Sequence, residues 1–206
     1  MLDDLLAGRL TFATFIMWLV AVVIAITVHE FAHAWRAKLA GDPTPVREGR
    51  VTLNPLVHLD PIGTLMLLVF GLGWGRPVHT NPMYYRRGRW DSLMVSAWGP
   101  LANIITAALF AVPFRLGLAA GREDLLSAVI LINLLLAFFN LLPVEPLDGS
   151  HVVESLLPPR RAMAYHTFMQ RYGILILLAI ILTPVGDYMF IIPARLLFAV
   201  MVGLPT

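Results

Sequence analysis

One run of apolar residues, from about Leu10 to Leu39, constrains this chain more than any other feature of its sequence. The run contains no charged residue before His29 and Glu30, and it is longer than the roughly 20 residues that a helix needs to cross a bilayer. The whole chain has the matching composition, with 58% hydrophobic and 14% charged residues, whereas a soluble domain has about 45–50% and roughly 25%. Lipid is therefore predicted to be the solvent for most of the chain.

Other apolar segments extend this pattern to a polytopic membrane protein. Four of them have the length of further membrane helices: 91–114, 125–142, 165–183 and 187–202. The stretch 61–75 has only fifteen residues and four glycines, which is too short for a span and is typical of a re-entrant or interfacial element. The sequence predicts an all-α fold with about five transmembrane helices plus this short element.

The chain is predicted to form a single membrane domain over residues 1–206. Its core covers about 10–150, and a C-terminal helical hairpin covers about 165–202. The acidic start, Met1 to Asp4, lacks the basic region of a secretory signal, so the first span is expected to be retained. The polar segment 41–60 contains Val51–Leu53, which is a candidate short strand.

Charge and cysteine content exclude several classes of function. The net charge is only +2, without a compact Lys/Arg tract, so no nucleic-acid partner is expected. The chain has no cysteine, which excludes disulfides, thiolate metal sites and a cysteine nucleophile.

The basic residues instead predict the orientation in the membrane. If 61–75 does not cross, the loops 36–60, 76–90 and 143–171 share one side and carry four, four and three basic residues. That bias places them in the cytoplasm. If 61–75 crossed, the bias would vanish, so both charge and length favour a stretch that does not cross.

The sharpest chemical signal is an H-E-x-x-H motif at His29, Glu30 and His33. Residues i and i+4 share a face of a helix, so both imidazoles can bind one metal ion while the glutamate acts as a general base on water. The alternative is a chance match or a buried polar cluster. Ionisable residues are costly inside an apolar span and mark function there, which favours a zinc site.

A catalytic zinc needs a third protein ligand, and Asp148 is the best candidate. It follows Pro143 and Pro146, which unwind the end of a span, and it precedes Gly149, which permits tight backbone geometry. The alternative is a solvated aspartate in an interfacial turn. A non-crossing 61–75 puts Asp148 on the same side as the two histidines.

Together these segments resemble the site-2 protease family of intramembrane zinc metalloproteases. The resemblance rests on the H-E-x-x-H span, on 53–64, on 76–82 and on Asn140–Gly149, with a weaker match at Gly99–Asn103. It implies one zinc ion bound by His29, His33 and Asp148, with Glu30 as the catalytic acid/base. It also implies cleavage of membrane-anchored protein substrates within or near the bilayer.

Several positions depart from the family pattern or stay open. Glu145 and His79 replace residues that are commonly small or apolar, and Glu145 is expected to face the cytoplasm. Asn140 is a candidate oxyanion or substrate contact, with helix packing as the alternative. Asn103 and Asn133 are expected to join helices. His58 is expected to be a solvated loop histidine, with support of a metal ligand as the alternative. Without a PDZ or CBS module in the sequence, regulation is expected from a partner, and homo-oligomerisation is left open.

Two other functions fit the sequence less well than a protease. A catalytically silent membrane scaffold would have no need of Glu30, and a zinc or proton transporter would need a polar path through the apolar half of the first span, Phe12–Ile26. The predicted location is a prokaryotic cell (inner) membrane, with the active site near the cytoplasmic side.

Overall fold

The structure is a computed structural model that describes Gly8, residues 11–70 and residues 73–204. The predicted start of the first span at Leu10 and positions 71–72 of the short apolar element lie outside these residues. Eight α-helices are present in the described ranges: α1 (Phe12–Ala40), α2 (Thr44–Arg47), α3 (Pro61–Phe70), α4 (Arg89–Arg115), α5 (Glu123–Asn140), α6 (Asp148–Leu156), α7 (Pro159–Leu182) and α8 (Ile192–Val202). Short 3₁₀ turns lie at Pro55–Val57 and Pro82–Tyr84, and a π-helical stretch, Asp187–Ile191, leads into α8.

Four of the helices, α1, α4, α5 and α7, are long and apolar enough to cross a membrane. The π-helical stretch and α8 together cover the fifth predicted span, 187–202. The predicted all-α polytopic membrane fold is confirmed, because helices make up most of the described ranges and no strand is formed in them.

Small residues bring α1, α4 and α5 close together. Fully buried alanines lie along all three helices, among them Ala25, Ala107 and Ala137. In a membrane, small side chains let helix backbones approach, and van der Waals packing then holds the helices together. α8 joins this bundle through Ala194, which packs against Ile130 and Leu134.

Polar contacts order the ends of the bundle. Arg36 near the end of α1 pairs with Asp91 at the start of α4, at 2.8 Å. At the opposite end, Arg115 donates from Nε to the carbonyl of Met201 at 2.8 Å. We call the first of these ends, where α1 and α5 finish and α4 and α6 begin, the site end.

The apolar stretch 61–75 does not cross the bundle. α3 has ten residues and is therefore about 15 Å long, half of the roughly 30 Å hydrocarbon core. Leu59 and Gly75 then form an antiparallel bridge, and the Arg76 amide donates to the His58 carbonyl at 2.7 Å. The stretch thus returns to the place where it began, as its length and the charge pattern predicted.

Two local predictions are corrected. Val51 and Thr52 form bends rather than a strand, because no neighbouring segment offers them a ladder of hydrogen bonds. The loop predicted from residue 143 onwards contains the helix α6. α7 packs against the first residue of this loop, where the Tyr165 hydroxyl donates to the Pro143 carbonyl at 2.8 Å.

Candidate metal centre and active site

His29 and His33 lie one turn apart on α1 and present their rings to the same point. The ring centroids are 4.6 Å apart, and the two Nε2 atoms are separated by 3.0 Å. Both residues are buried. This is the arrangement that the i, i+4 spacing of the motif predicts.

The turn between α5 and α6 brings Asp148 to the same point. Its Oδ2 lies 3.1 Å from Nε2 of His29 and 3.2 Å from Nε2 of His33. Gly149 makes the turn feasible, because a Cβ at this position would lie 2.3 Å from the Leu141 carbonyl oxygen. The structure therefore brings all three predicted ligands together.

The hydrogen-bond partners of the two histidines are compatible with zinc binding through Nε2. Nδ1 of His33 lies 2.8 Å from the Val95 carbonyl, which can only accept, so this Nδ1 carries the hydrogen. Nδ1 of His29 lies 2.7 Å from Oδ1 of Asn103 and donates in the same way. In a neutral ring with its hydrogen on Nδ1, Nε2 keeps its lone pair, so both Nε2 atoms can act as metal donors beside the Asp148 carboxylate.

The spacing of the donor atoms agrees with that conclusion. A tetrahedral zinc ion with ligand bonds of about 2.0–2.1 Å holds its ligands about 3.4 Å apart. The three observed separations are 3.0, 3.1 and 3.2 Å. A histidine pair with one carboxylate is also a common ligand set of catalytic zinc sites, which keep a fourth position for water or substrate.

Asn103 and Asn133 fix the orientation of His29 from two other helices. Nδ2 of Asn103 donates to the Ala25 carbonyl and to Oδ1 of Asn133, each at 2.9 Å, which leaves Oδ1 to accept from His29. Asn133 in turn donates to the Val129 carbonyl at 2.8 Å. The predicted role in joining helices is confirmed, but the sequence did not reveal that the chain of hydrogen bonds ends on His29.

Gly99 is a further residue whose role the sequence did not reveal. A Cβ at this position would lie 2.3 Å from Nε2 of His33 and 2.8 Å from Cε1 of His29. The backbone of α4 therefore forms a wall of the metal centre, and only glycine leaves room for both rings.

Glu30 lies beside the three donors but is not one of them. It is half-buried, and its Oε2 accepts from the Val78 amide at 3.0 Å. Val78 belongs to residues 76–81, which form neither helix nor strand and end in extended backbone at Asn81, and which we call the extended segment. This hydrogen bond holds the carboxylate between α1 and the extended segment.

Buried polar side chains hold the extended segment in place. Arg50 is buried and donates to the carbonyls of Val57 and Arg76. Asp42 is buried at the end of α1 and accepts from the Asn81 amide at 2.6 Å. Sequence reasoning missed both residues, because charged residues in polar loops are mostly exposed.

His58 contradicts the expectation of a solvated loop histidine. Its side chain is fully buried, and Nε2 lies 2.7 Å from the Thr52 carbonyl. Burial lowers the pKa of its imidazole, so it is neutral at pH 7. It shapes the loop that pairs with Gly75 and does not touch the three donors.

A cleft of about 630 Å³ leads to this region from the site end. The extended segment forms one wall through Val78, His79 and Thr80, and α4 and α6 form the other. Val95, whose carbonyl holds His33, lies in the same cleft. The cleft therefore adjoins the metal centre through the residues that hold Glu30 and His33, Val78 and Val95.

The remaining candidate residues lie outside the donor set. Asn140 donates from Nδ2 to the Leu136 carbonyl of its own helix at 3.0 Å, and its substrate contact stays a prediction. Glu145 points towards His151, with Oε1 and Nδ1 3.9 Å apart, and His79 pairs with Glu48 at 3.2 Å.

An all-α membrane protein with two histidines, an aspartate and a neighbouring glutamate at one site has the features of a membrane metalloprotease. A family model described as "Peptidase family M50" matches residues 115–184. A relative in Bacillus subtilis, YwhC, is 37% identical over 82% of this chain and 81% of its own length. Rip2 of Mycolicibacterium smegmatis is 30% identical over 82% of this chain and 68% of its own length.

Both relatives carry the name "Putative zinc metalloprotease". No solved structure gives a significant match to this chain. The chain belongs to peptidase family M50, the site-2 protease family, and is a metalloprotease.

Proposed function

We propose that this protein is an intramembrane zinc endopeptidase that hydrolyses membrane-anchored protein substrates within or near the bilayer. The observation that carries the proposal is the convergence of three metal donors, within 3.0–3.2 Å of one another, at the end of three apolar helices. Glu30 lies next to His29 on α1 and is held by the Val78 amide, and Val78 lines the cleft. The apolar helices support the membrane location of the site. The same residues in a soluble chain would support zinc proteolysis alone.

His29, His33 and Asp148 are the proposed ligands of one zinc ion per chain. When bound, zinc would supply a Lewis acid for the scissile carbonyl and would lower the pKa of water towards about 7. Asn103 and the Val95 carbonyl hold the two imidazoles in the tautomer that binds metal through Nε2. Such hydrogen bonds fix ring orientation and raise ligand basicity.

Glu30 is the proposed general acid/base. One carboxylate oxygen accepts from the Val78 amide, which orients the side chain and leaves the other oxygen for proton transfer. Glu30 takes a proton from the attacking water and delivers it to the leaving amine nitrogen of the substrate. Asn140 is a further proposed contact for the substrate or the developing oxyanion.

The extended segment is the proposed binding edge for the substrate. His79 and Thr80 make no backbone–backbone hydrogen bonds within the described ranges, and both line the cleft. A substrate helix must unwind before hydrolysis, because helical amides are hydrogen-bonded and shielded. The unwound strand would pair with this edge by strand addition.

The proposed location is a prokaryotic cell (inner) membrane, with the site end at the cytoplasmic face. The loops at the site end carry most of the basic residues, and positively charged loops stay in the cytoplasm. The proposed partners are a membrane-anchored protein substrate and the surrounding lipid. Regulation would come from a partner protein or a second copy of the chain.

Purified protein in liposomes with a single-span reporter tests this function. Mass spectrometry of the products should place the cut inside the apolar segment of the reporter or within a few residues of it. A chelator should abolish cleavage, and one equivalent of zinc should restore it. Cleavage confined to a soluble domain of the reporter, or cleavage that survives zinc removal, would contradict the proposal.

A further inference from the structure

A second group of potential metal ligands lies at the site end, outside the centre described above. Glu145 comes from the turn between α5 and α6, His151 and Glu154 come from α6, and His166 comes from α7. We call these four residues the His/Glu cluster. Glu145, His151 and Glu154 each offer one ligand atom within 4.8 Å of the other two.

The distances in the cluster are those of ligands around an ion. Nδ1 of His151 lies 3.9 Å from Oε1 of Glu145 and 3.9 Å from Oε2 of Glu154, which is too long for a hydrogen bond. Two ligands that each lie about 2.1 Å from one ion are about 3–4 Å apart. His166 lies at the border of the cluster and is held there by a hydrogen bond, with its Nδ1 3.2 Å from Oε2 of Glu154.

Helical spacing supports the same interpretation. His151 and Glu154 are three residues apart on α6, so they share one face. A carboxylate and a histidine at this spacing recur as metal ligands in helical bundles. Glu145 then approaches from the turn, so that chain segments on both sides of Asp148 contribute to the cluster.

The charge of the cluster also favours a cation. Two carboxylates face two imidazoles in the cluster. Arg89 lies nearby but donates to the carbonyls of Ser155 and Leu157 rather than to either carboxylate. A divalent ion would balance the two negative charges.

The cluster is open to solvent. The side chain of His151 is 49% exposed and that of Glu154 is 33% exposed, and both line the mouth of the cleft. An ion can therefore reach them without opening the bundle. The exposure also predicts weaker binding than at the buried centre of His29, His33 and Asp148.

We propose that the His/Glu cluster binds a second divalent transition-metal ion, with Zn²⁺ as the best match. Imidazole combined with carboxylate suits zinc better than magnesium or calcium, which prefer oxygen ligands alone. An ion held there would draw Glu145 and α6 together at the mouth of the cleft. If the proposed protease function holds, zinc in excess of the first equivalent inhibits cleavage by narrowing the path of the substrate.

Calorimetric titration with Zn²⁺ tests the site without any assay of cleavage. The wild type in detergent should bind two ions per chain, the second at least tenfold more weakly than the first. His151→Ala and Glu154→Gln should each keep the tight site and weaken the second by tenfold or more. Asp148→Ala should lose zinc binding at the tight site and keep it at the second, so that each site can be removed without the other.

His79→Ala is the matched control. His79 is an exposed histidine on the opposite wall of the cleft, and it faces one carboxylate, Glu48, at 3.2 Å. This variant should bind two ions as the wild type does. The proposal would be overturned if the wild type bound only one ion. It would also be overturned if the second ion bound with equal affinity to the wild type, His151→Ala and Glu154→Gln.

Discussion

At the scale of single residues, the orientation of His29 comes from outside its own motif. Asn103 on α4 accepts from Nδ1 of His29, and no other group within the described ranges contacts this nitrogen. We expect Asn103→Ala to weaken zinc binding by about 10–100-fold, because loss of such a partner frees the ring and lowers its basicity. Competition with a chromogenic chelator measures the affinity.

Thr106→Ala is the control for this prediction. Thr106 lies on the same helix, and its hydroxyl donates only to the Ala102 carbonyl at 2.8 Å, away from the metal centre. Its zinc affinity should equal that of the wild type. Equal affinities for Asn103→Ala and the wild type would show that Asn103 serves helix packing alone.

The sequence predicted the residues of the metal centre better than their surroundings. His29 and His33 follow from a helical period, and Asp148 follows from two prolines that break a span, and both are local signals. Gly99 and Arg50 depend on what approaches them from elsewhere in the chain. A glycine in a helix or an arginine in a loop gives no local sign that a ring or a carbonyl lies against it.

At the scale of elements, the extended segment can be tested with proline. His79→Pro or Thr80→Pro removes a backbone N–H from the proposed binding edge. We expect reporter cleavage to fall at least tenfold in either variant while zinc content stays at one ion per chain. Proline disfavours a helical conformation in the residue before it, and residues 78 and 79 lie outside any helix, so neither variant interrupts one.

Glu123→Pro provides the comparison, because proline is tolerated in the first turn of a helix. Glu123 is the first residue of α5, at the end of the bundle opposite the site. Its cleavage rate should stay near that of the wild type. Unchanged cleavage in both His79→Pro and Thr80→Pro would exclude strand addition at this edge.

The predicted spans begin and end near the observed helices, because apolar length is a strong signal in membrane proteins. The prediction that 61–75 is too short to cross was confirmed for the same reason. α6 was missed since its nine residues follow two prolines and are mostly polar or short. The strand at 51–53 was wrong because a strand exists only if a partner segment lies beside it, and the sequence does not place that partner.

At the scale of the whole molecule, the orientation in the membrane is a prediction that labelling can test. The native chain has no cysteine, so single cysteines can be introduced without background. Val46 at the site end and Leu118 at the opposite end are exposed and uncharged. We expect Val46→Cys to react only with a reagent added from the cytoplasmic side and Leu118→Cys only from the other side.

Two results would contradict this topology. Reversed labelling would place the site end outside the cytoplasm, against the charge bias of its loops. Labelling of both cysteines from one side would mean that α4, which separates the two loops, does not cross the membrane.

The central claim is that zinc and Glu30 together perform proteolysis, and one paired measurement on wild type and Glu30→Gln tests it. Zinc content and cleavage of the single-span reporter are determined on the same preparations. The account predicts one tightly bound zinc ion in both proteins, cleavage by the wild type, and a rate at least 100-fold lower for Glu30→Gln, in line with the loss of a general acid/base. Wild type without bound zinc, or Glu30→Gln that cleaves as fast as the wild type, would contradict it.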